Sequence, residues 1–299
     1  MRTLVRASAP WRKLAPNRTV RRHVQGVDLY LPWSHLLPDY AKSRPTYGQN
    51  LVELAASLAA PMAAGEQLQL LDIGANVGDS AAQIIARTGA RALCVEADPY
   101  WTRYLQANLG HNPDVAIEEV LLTAEETEAG PVAPQRVGGT THFVASAVNG
   151  AKAPISVARL RAAHPDFAQL RLVKSDTDGF DPVLVPAVVR AWSDVTPVVF
   201  FEFDPILARD NSPGDPNQVW ADLADLGYEQ LVVWDNAGDP LGRLATADAA
   251  EQAATLDPRP VHLGYHFWDV AAAHRDDDVA LAAFATLVPE PFDVRGIRR

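Results

Sequence analysis

The sequence predicts an α/β fold: a mostly parallel sheet with helices on both faces. Three observations carry this expectation. From about residue 50 onward, short apolar runs alternate with helix-forming stretches. The run Leu68 to Ile73 ends in Asp72, turns on Gly74 and Gly78, and enters a helix through Asp79 and Ser80, which reads as strand, tight loop, helix. Acids also fall at the ends of the apolar runs, on the edge where open α/β sheets hold their ligands.

In chain order, residues 1 to 49 read as irregular, because five prolines from Pro10 to Pro45 interrupt any helix. VDLYLPWSHLLPDYAKSRPTY within them reads as a strand and a cap over the ligand edge, with Tyr40 and Tyr47 as its aromatic contacts. Residues 50 to 299 form the main domain. A helix starts at Asn50 and ends near Gly65. Strand one, Leu68 to Ile73, leads to a helix from Ser80 to Gly89. Strand two, Ala92 to Val95, leads to a helix opened by Asp98-Pro99 and closed at Gly110. Strand three is Ala116 to Leu122. Thr140 to Val148 and Ile155 to Leu160 have β character, and strand four is Leu170 to Val173. Asp181-Pro182 reads as a helix cap before strand five, Val198 to Phe203. Asp215-Pro216 opens a helix reaching Gly227, strand six is Gln230 to Trp234, and Val261 to Val270 is a last strand pattern.

Charge and composition narrow the chemistry. The chain has 299 residues, with 26 Lys and Arg against 37 Asp and Glu, and a net charge of −11. Such a surface repels phosphate backbones, so nucleic acid is not the expected partner. The basic N-terminus, from Arg2 to Arg22, reads as a solvated end, with an arm that meets an anionic acceptor as the alternative. No apolar stretch is long enough to span a bilayer, and no secretory h-region follows the arginines. Cys94 is alone within an apolar run, which suits a reducing cytoplasm.

The glycine loop discriminates between ligands. A dinucleotide loop needs glycine at positions 76 and 79, where this chain has Asn76 and Asp79, and Asp79 would face a pyrophosphate with like charge. S-adenosylmethionine carries no phosphate, and its ammonium and sulfonium tolerate Asp72 and Asp79. Glu96, ending the second apolar run, is placed to accept the ribose hydroxyls. The expected cofactor contacts are therefore Asp72, Gly74, Ala75, Asn76, Gly78, Asp79, Ser80, Glu96 and Ala97, with Asp98 as a neighbour and N-cap.

DIGANVGDS, VEADP, LVKSDTDGFD and FFEFDP, in that order from Leu68 to Pro205, together with Asp235-Asn236-Ala237-Gly238, resemble the FkbM-type methyltransferase family. The resemblance implies a Rossmann-like, class I methyltransferase fold, S-adenosylmethionine as cofactor, and O-methylation of a sugar, polysaccharide unit or natural product. Two departures stand out: Ala158-Arg159-Leu160 replaces the usual Leu-Asp pair, and Asp178 stands where Glu is more frequent.

An aliphatic hydroxyl needs its proton removed before it attacks, so a base belongs beside the acceptor. Asp176 is the first candidate, followed by Glu202 and Asp178. Lys174 lies two residues from Asp176 and is expected to pair with it. His142 is the leading histidine. Asp176, Glu202 and Asp235 are oxygen donors of the type that bind Mg²⁺, but their spacing matches no metal motif, and none is assigned; His262 and His266 likewise match no zinc pattern. A nucleotide-dependent oxidoreductase and a non-catalytic binding module of the same fold are the alternatives.

Overall fold

The computed structural model describes residues 15–127, 130–137, 140–145, 153–256 and 267–292. The basic residues before position 15, Gly138 and Gly139, and His262 and His266 lie outside them.

Residues 15–49 are more ordered than their prolines suggest. Strands β1 (Thr19–Val24) and β2 (Val27–Pro32) form an antiparallel hairpin, followed by helix α1 (Leu37–Ser43). Pro38 sits in the first turn of α1, where its missing N–H costs nothing. Helix α2 (Gln49–Ala59) buries Leu51, Leu54, Ala55 and Leu58 and stops short of Gly65.

The core then alternates as expected. Strand β3 (Gln69–Ile73) is followed by α3 (Asp79–Thr88), which ends on Gly89 in a left-handed cap. Strand β4 (Arg91–Glu96) is followed by α4 (Pro99–Leu109), whose N-cap Asp98 accepts the Tyr100 N–H. Strand β5 (Val115–Glu119) stops at Glu119, and a separate two-residue β6 (Leu122–Thr123) pairs with β9 (Ile155–Ser156). Strands β7 (Val132–Val137) and β8 (Thr140–Ala145) form a hairpin. The β pattern read over Ile155 to Leu160 breaks at Ser156, which caps helix α5 (Val157–Ala163) by accepting the Arg159 N–H. Ala158 to Leu160 is therefore helical.

Strand β10 (Leu172–Ser175) lies two residues later than its sequence pattern, so Lys174 is inside the strand. Helix α6 (Asp181–Ala191) follows, but Asp181 does not cap it: its carboxyl turns back to accept the Ser175 Oγ–H at 2.6 Å and the Thr177 N–H at 3.2 Å. Strand β11 (Val198–Phe203) leads to α7 (Pro205–Asn211), capped by Asp204 through the Ile206 and Leu207 N–H groups. Helix α8 (Gln218–Asp225) precedes β12 (Tyr228–Asp235). The sequence pattern did not show β1 or β7, nor β13 (Pro240–Ala245), α9 (Ala249–Ala253) and α10 (Asp278–Leu287). The last sheet strand is β14 (Trp268–His274), later than the Val261 to Val270 pattern.

Eight strands form one sheet in the order β13-β12-β14-β11-β10-β3-β4-β5. Strands β3, β4, β5, β10 and β11 run parallel, and β12 shares their direction because β14, antiparallel to both, separates it from β11. Edge strand β13 is antiparallel to β12. The order reverses between β3 and β10, which makes a Rossmann-like switch point at the carboxyl ends of these two strands. Alternate residues feed two cores: Leu71, Ile73, Val173 and Phe201 on the α5, α6 and α8 face, and Leu70, Leu172, Phe200 and Ala271 on the α2, α3 and α10 face.

The β1–β2 hairpin is fastened to the glycine loop by one side chain. Asn108 of α4 accepts the Tyr30 N–H at 2.7 Å and donates to the carbonyls of Tyr30 at 3.1 Å and Val77 at 2.8 Å. Leu29, Leu31, Leu37, Val77 and Tyr104 form an apolar cluster beneath it. Asn108→Ala leaves the buried Val77 carbonyl and two half-buried backbone groups of Tyr30 unpaired, so we expect a loss of about 1–3 kcal/mol. Thermal unfolding and faster hydrogen exchange at the Tyr30 amide are the measurements; unchanged exchange there would refute the fastening role.

Candidate functional site

Two adjoining cavities, of about 760 and 810 Å³, open at the switch point and share Tyr40, Tyr47, Asp176 and Glu202 as walls. Their floor is the loop between β3 and α3. Gly74 has φ of 72°, and a Cβ there would overlap the Asp176 carbonyl oxygen. Gly78 also has positive φ, but its missing Cβ makes room for Leu105 and Leu109 of α4. Gly78 is thus a packing glycine and lines neither cavity.

Gly74, Asn76, Glu96, Ala97, Asp176, Asp178 and Glu202 line the first cavity. Ala75, Asp79, Ser80 and Lys174 join the second, together with Gly74, Asn76, Asp176 and Glu202. Glu96 is the most constrained of these. Its Oε2 accepts the Asn76 N–H and its Oε1 the Asp98 N–H, both at 2.8 Å. Burial raises its pKa to about 7, against the pull of these two amides. A carboxyl held by one lone pair on each oxygen keeps the others for a diol. Beside it, Val120, Leu121 and Leu122 form an apolar wall.

Three expected cofactor contacts stand behind the wall. Besides Gly78, Asp98 is 1% exposed and serves through its amide and its N-cap carboxyl. Asp72 is fully buried and lines neither cavity. It lies directly across from Lys174 in the β3–β10 register, with Lys174 Nζ 3.1 Å from Asp72 Oδ1. The same ammonium donates to the Gly74 carbonyl at 2.9 Å, whereas Asp176 Oδ2 is 3.8 Å away. The lysine's main partner is therefore Asp72, not Asp176, because strand register places Asp72 opposite it on the buried face. Burial opposes the charge of Lys174, but Asp72 and Asp176 together outweigh burial and raise its pKa.

The remaining acids behave differently from one another. Asp235 closes the β12–β13 turn by accepting the Ala237 and Asp239 N–H groups, so Asn236, not Asp235, reaches the first cavity. Asp178 holds a positive φ of 53°, and its carbonyl accepts from Asn211 Nδ2. His142 lies on β8 opposite Gln135. Among the described residues no three His, Cys, Asp or Glu side chains form a metal-holding group, so Asp176, Glu202 and Asp235 do not converge.

Sequence reading missed several wall residues. Asp269 faces Glu202 directly across β11 and β14, and Asn50 Nδ2 donates to its Oδ2 at 2.9 Å. It begins an antiparallel strand, so its start, not its end, reaches the ligand edge. Burial raises its pKa to about 7 and raises Glu202 well above the usual carboxylate range, with Asp176 adding to both. His35 comes from the cap; its Nδ1 accepts the Leu37 N–H, and burial lowers its pKa while Asp79 opposes that shift. Burial raises the pKa of Asp79 in turn, against His35 and Lys174.

The cap closes the site by contacts that only the fold reveals. Thr46 Oγ1 donates to the Ala237 carbonyl at 2.9 Å, Arg44 reaches Asn236 Oδ1 at 3.4 Å, and a Cβ on Gly238 would overlap the Thr46 carbonyl. The Tyr40 and Tyr47 rings lie 5.4 Å apart.

No family model matches the sequence, and no curated protein matches it. The structure is similar to the precorrin-6y C5,15-methyltransferase of Geobacter metallireducens, with 13% identity, a TM-score of 0.37, and coverage of 75% of this chain and 86% of that one. A SAM-dependent methyltransferase from Geobacter sulfurreducens in complex with S-adenosyl-L-homocysteine gives 11%, 0.40, 76% and 91%, and a delta-N METTL16 MTase domain 10%, 0.44, 83% and 89%. These scores are all below 0.5, and the fold assignment rests on the strand order above.

Two outcomes follow from the electrostatics. Carboxyls whose folded pKa is raised bind protons more tightly folded than unfolded, so the stability they contribute is present at low pH and lost as pH rises through the folded value. With Asp181 at about 6 and Glu96 and Asp269 at about 7, the ligand-free protein should lose stability between about pH 4 and 7. Melting temperatures across that range are the measurement, and Asp269→Asn should flatten the curve. Lys174→Met strands Asp72 and should cost about 3–5 kcal/mol by denaturant unfolding, much of it recovered in Lys174→Met/Asp72→Leu; an additive double variant contradicts the pairing.

Proposed function

We propose that the protein is an S-adenosylmethionine-dependent O-methyltransferase of the FkbM type, acting on a hydroxyl of a sugar, polysaccharide unit or natural product. The observation that carries this is Glu96, set on the cavity wall by two backbone N–H groups opposite a loop that only glycine at position 74 can form. That arrangement suits a ribose diol without supplying the glycine-rich phosphate turn of a dinucleotide site.

The residues fit the cofactor. Glu96 accepts from the ribose hydroxyls, Val120 to Leu122 cover the base, and Gly74, on the wall of both cavities, lets the loop pass against the Asp176 carbonyl. Asp79 and Ser80, at the start of α3, take the amino-acid end, where a carboxylate side chain meets an ammonium and the helix N-terminus meets a carboxylate. When bound, the cofactor supplies an electrophilic methyl group on a sulfonium. Asp176 lines both cavities beside Gly74 and takes the acceptor proton; Glu202 stands next along the sheet edge. Lys174, engaged with Asp72 and the Gly74 carbonyl, holds the loop that positions these groups. Tyr40 and Tyr47 exclude water from above.

The net charge of −11 argues for a small-molecule or glycan acceptor over a nucleic acid. Among the described residues no helix is long and apolar enough to cross a membrane. The buried, unpaired Cys94 fits a cytoplasmic setting.

S-adenosylhomocysteine should raise the melting temperature while NADH does not; the reverse result points to an oxidoreductase. Glu96→Ala should weaken S-adenosylhomocysteine binding at least about tenfold by calorimetry, since it removes a charge-assisted pair of hydrogen bonds. Asp176→Asn should keep that affinity and slow labelled-methyl transfer to hydroxyl acceptors by about 10²–10⁴-fold. An unaltered rate removes Asp176 as the base, and no transfer by the unmodified protein supports a binding module.

A further inference from the structure

The two cavities adjoin, and the residues on the walls of both include four aromatic rings: Tyr40, Tyr47, Trp101 and Phe267. They come from four separate segments. Tyr40 is on α1, Tyr47 follows that helix, Trp101 is in the first turn of α4, and Phe267 immediately precedes β14. Contacts within the protein fix three of the rings. Gln25 Nε2 donates to the Tyr47 carbonyl at 2.7 Å, the Tyr40 and Tyr47 centroids lie 5.4 Å apart, and the His35 ring meets Trp101 edge-on at 5.5 Å. Arg103 lies over the neighbouring Tyr100 and Tyr104 rings, at 4.3 and 4.7 Å, but among the described residues no Arg or Lys is so placed over the four rings of the junction.

On the reading above, the cofactor is anchored at two points in different cavities. Glu96 lines the first and not the second, whereas Asp79 and Ser80 line the second and not the first. The sulfonium stands between the ribose and the amino-acid end in the cofactor's covalent structure, so it falls where the cavities join, among these rings. A sulfonium has no proton to donate, so no carboxylate can hold it by a hydrogen bond. Its charge is spread over the carbons bonded to sulfur, as in a quaternary ammonium, the kind of cation that aromatic faces recognise.

We propose that Tyr40, Tyr47, Trp101 and Phe267 form an aromatic cage for the sulfonium, through which the protein binds the methyl donor more tightly than the demethylated product. This rests on the methyltransferase reading and deepens it. When Asp176 takes the acceptor's hydroxyl proton, the oxygen–methyl bond forms, the sulfur–methyl bond breaks, and its electron pair stays on sulfur. The rings then face a neutral thioether. Loss of the charge removes the attraction that held the donor and favours exchange of product for fresh donor. Asp176 and Glu202 also line both cavities, and their charge favours any cation, so the rings have to be tested apart from them.

The test is calorimetry on the full chain at pH 7, titrated separately with S-adenosylmethionine and S-adenosylhomocysteine. The unmodified chain should bind the methylated form at least about fivefold more tightly, within the range expected of a partly desolvated cation on aromatic faces. Tyr47→Leu and Trp101→Leu should each cut that ratio at least about threefold, whereas Tyr47→Phe, which keeps the ring face, should preserve it. The ratio is the decisive readout because a merely structural loss weakens both ligands alike. Glu202→Gln should lower it less than Tyr47→Leu does. If the leucine variants fail to fold, stepwise fluorination of the ring in Tyr47→Phe, which drains negative charge from the ring face at nearly constant shape, should lower the ratio stepwise. A smaller ratio in the unmodified chain, an intact ratio in the leucine variants or across the fluorinated series, or a larger loss in Glu202→Gln overturns the cage and leaves the cofactor assignment standing. Binding of neither ligand overturns the cofactor reading as well.

Discussion

The ion pair between Asp72 and Lys174 is the constraint around which the site is arranged. It lies on the face of the sheet otherwise built from Leu70, Cys94, Leu172 and Phe200, where a charge without a partner would be strongly unfavourable. Strand register makes the two residues direct neighbours across the switch point. The lysine then has a donor left for the Gly74 carbonyl, so a pair required by burial also fixes the first turn of the glycine loop. Gly74 in its turn brings the Asp176 backbone close enough that no Cβ fits between them. One buried charge thereby couples β3, β10, the glycine loop and the proposed base.

Around that centre, similar side chains acquire different tasks from their surroundings. Glu96 is clamped by two amides and presents a fixed acceptor. Asp98, Asp204 and Asp181 spend their carboxyls on nearby backbone N–H groups, Asp181 with the Ser175 hydroxyl in addition. Glu202 and Asp269 stand side by side at the cavity with far fewer donors, and burial together with the nearby Asp176 raises both pKa values. Chemical type alone does not distinguish these roles; the donors within reach do.

The cap contributes walls rather than scaffold. The β1–β2 hairpin packs on Val77 and Tyr104 and is tied down by Asn108, while the segment around Thr46 docks on the β12–β13 turn. These two attachments bring His35, Tyr40 and Tyr47 over the sheet edge. The Asp235 to Gly238 stretch, which drew attention as a motif, works here as the turn that receives the cap: Asp235 satisfies its amides and Gly238 leaves room for the Thr46 carbonyl.

The glycine loop, the alternation of strands and helices, the Asp98 cap and the position of Glu96 were all legible in the sequence, because each depends on local geometry: a positive φ, a period of apolar residues, a carboxyl two residues from a free N–H. The same local reasoning misplaced Asp72, paired Lys174 with its neighbour in sequence, and overlooked Asp269, His35 and Asn50. Those assignments depend on which strand lies beside which, in what direction, and on where residues 15–49 pack. An antiparallel β14 turns the start of a strand toward the ligand edge, and parallel register sets a lysine opposite an aspartate a hundred residues earlier in the chain. Local pattern therefore determined the frame and the glycine loop, whereas long-range pairing and burial decided which carboxyls reach the cavity and which are hidden behind it.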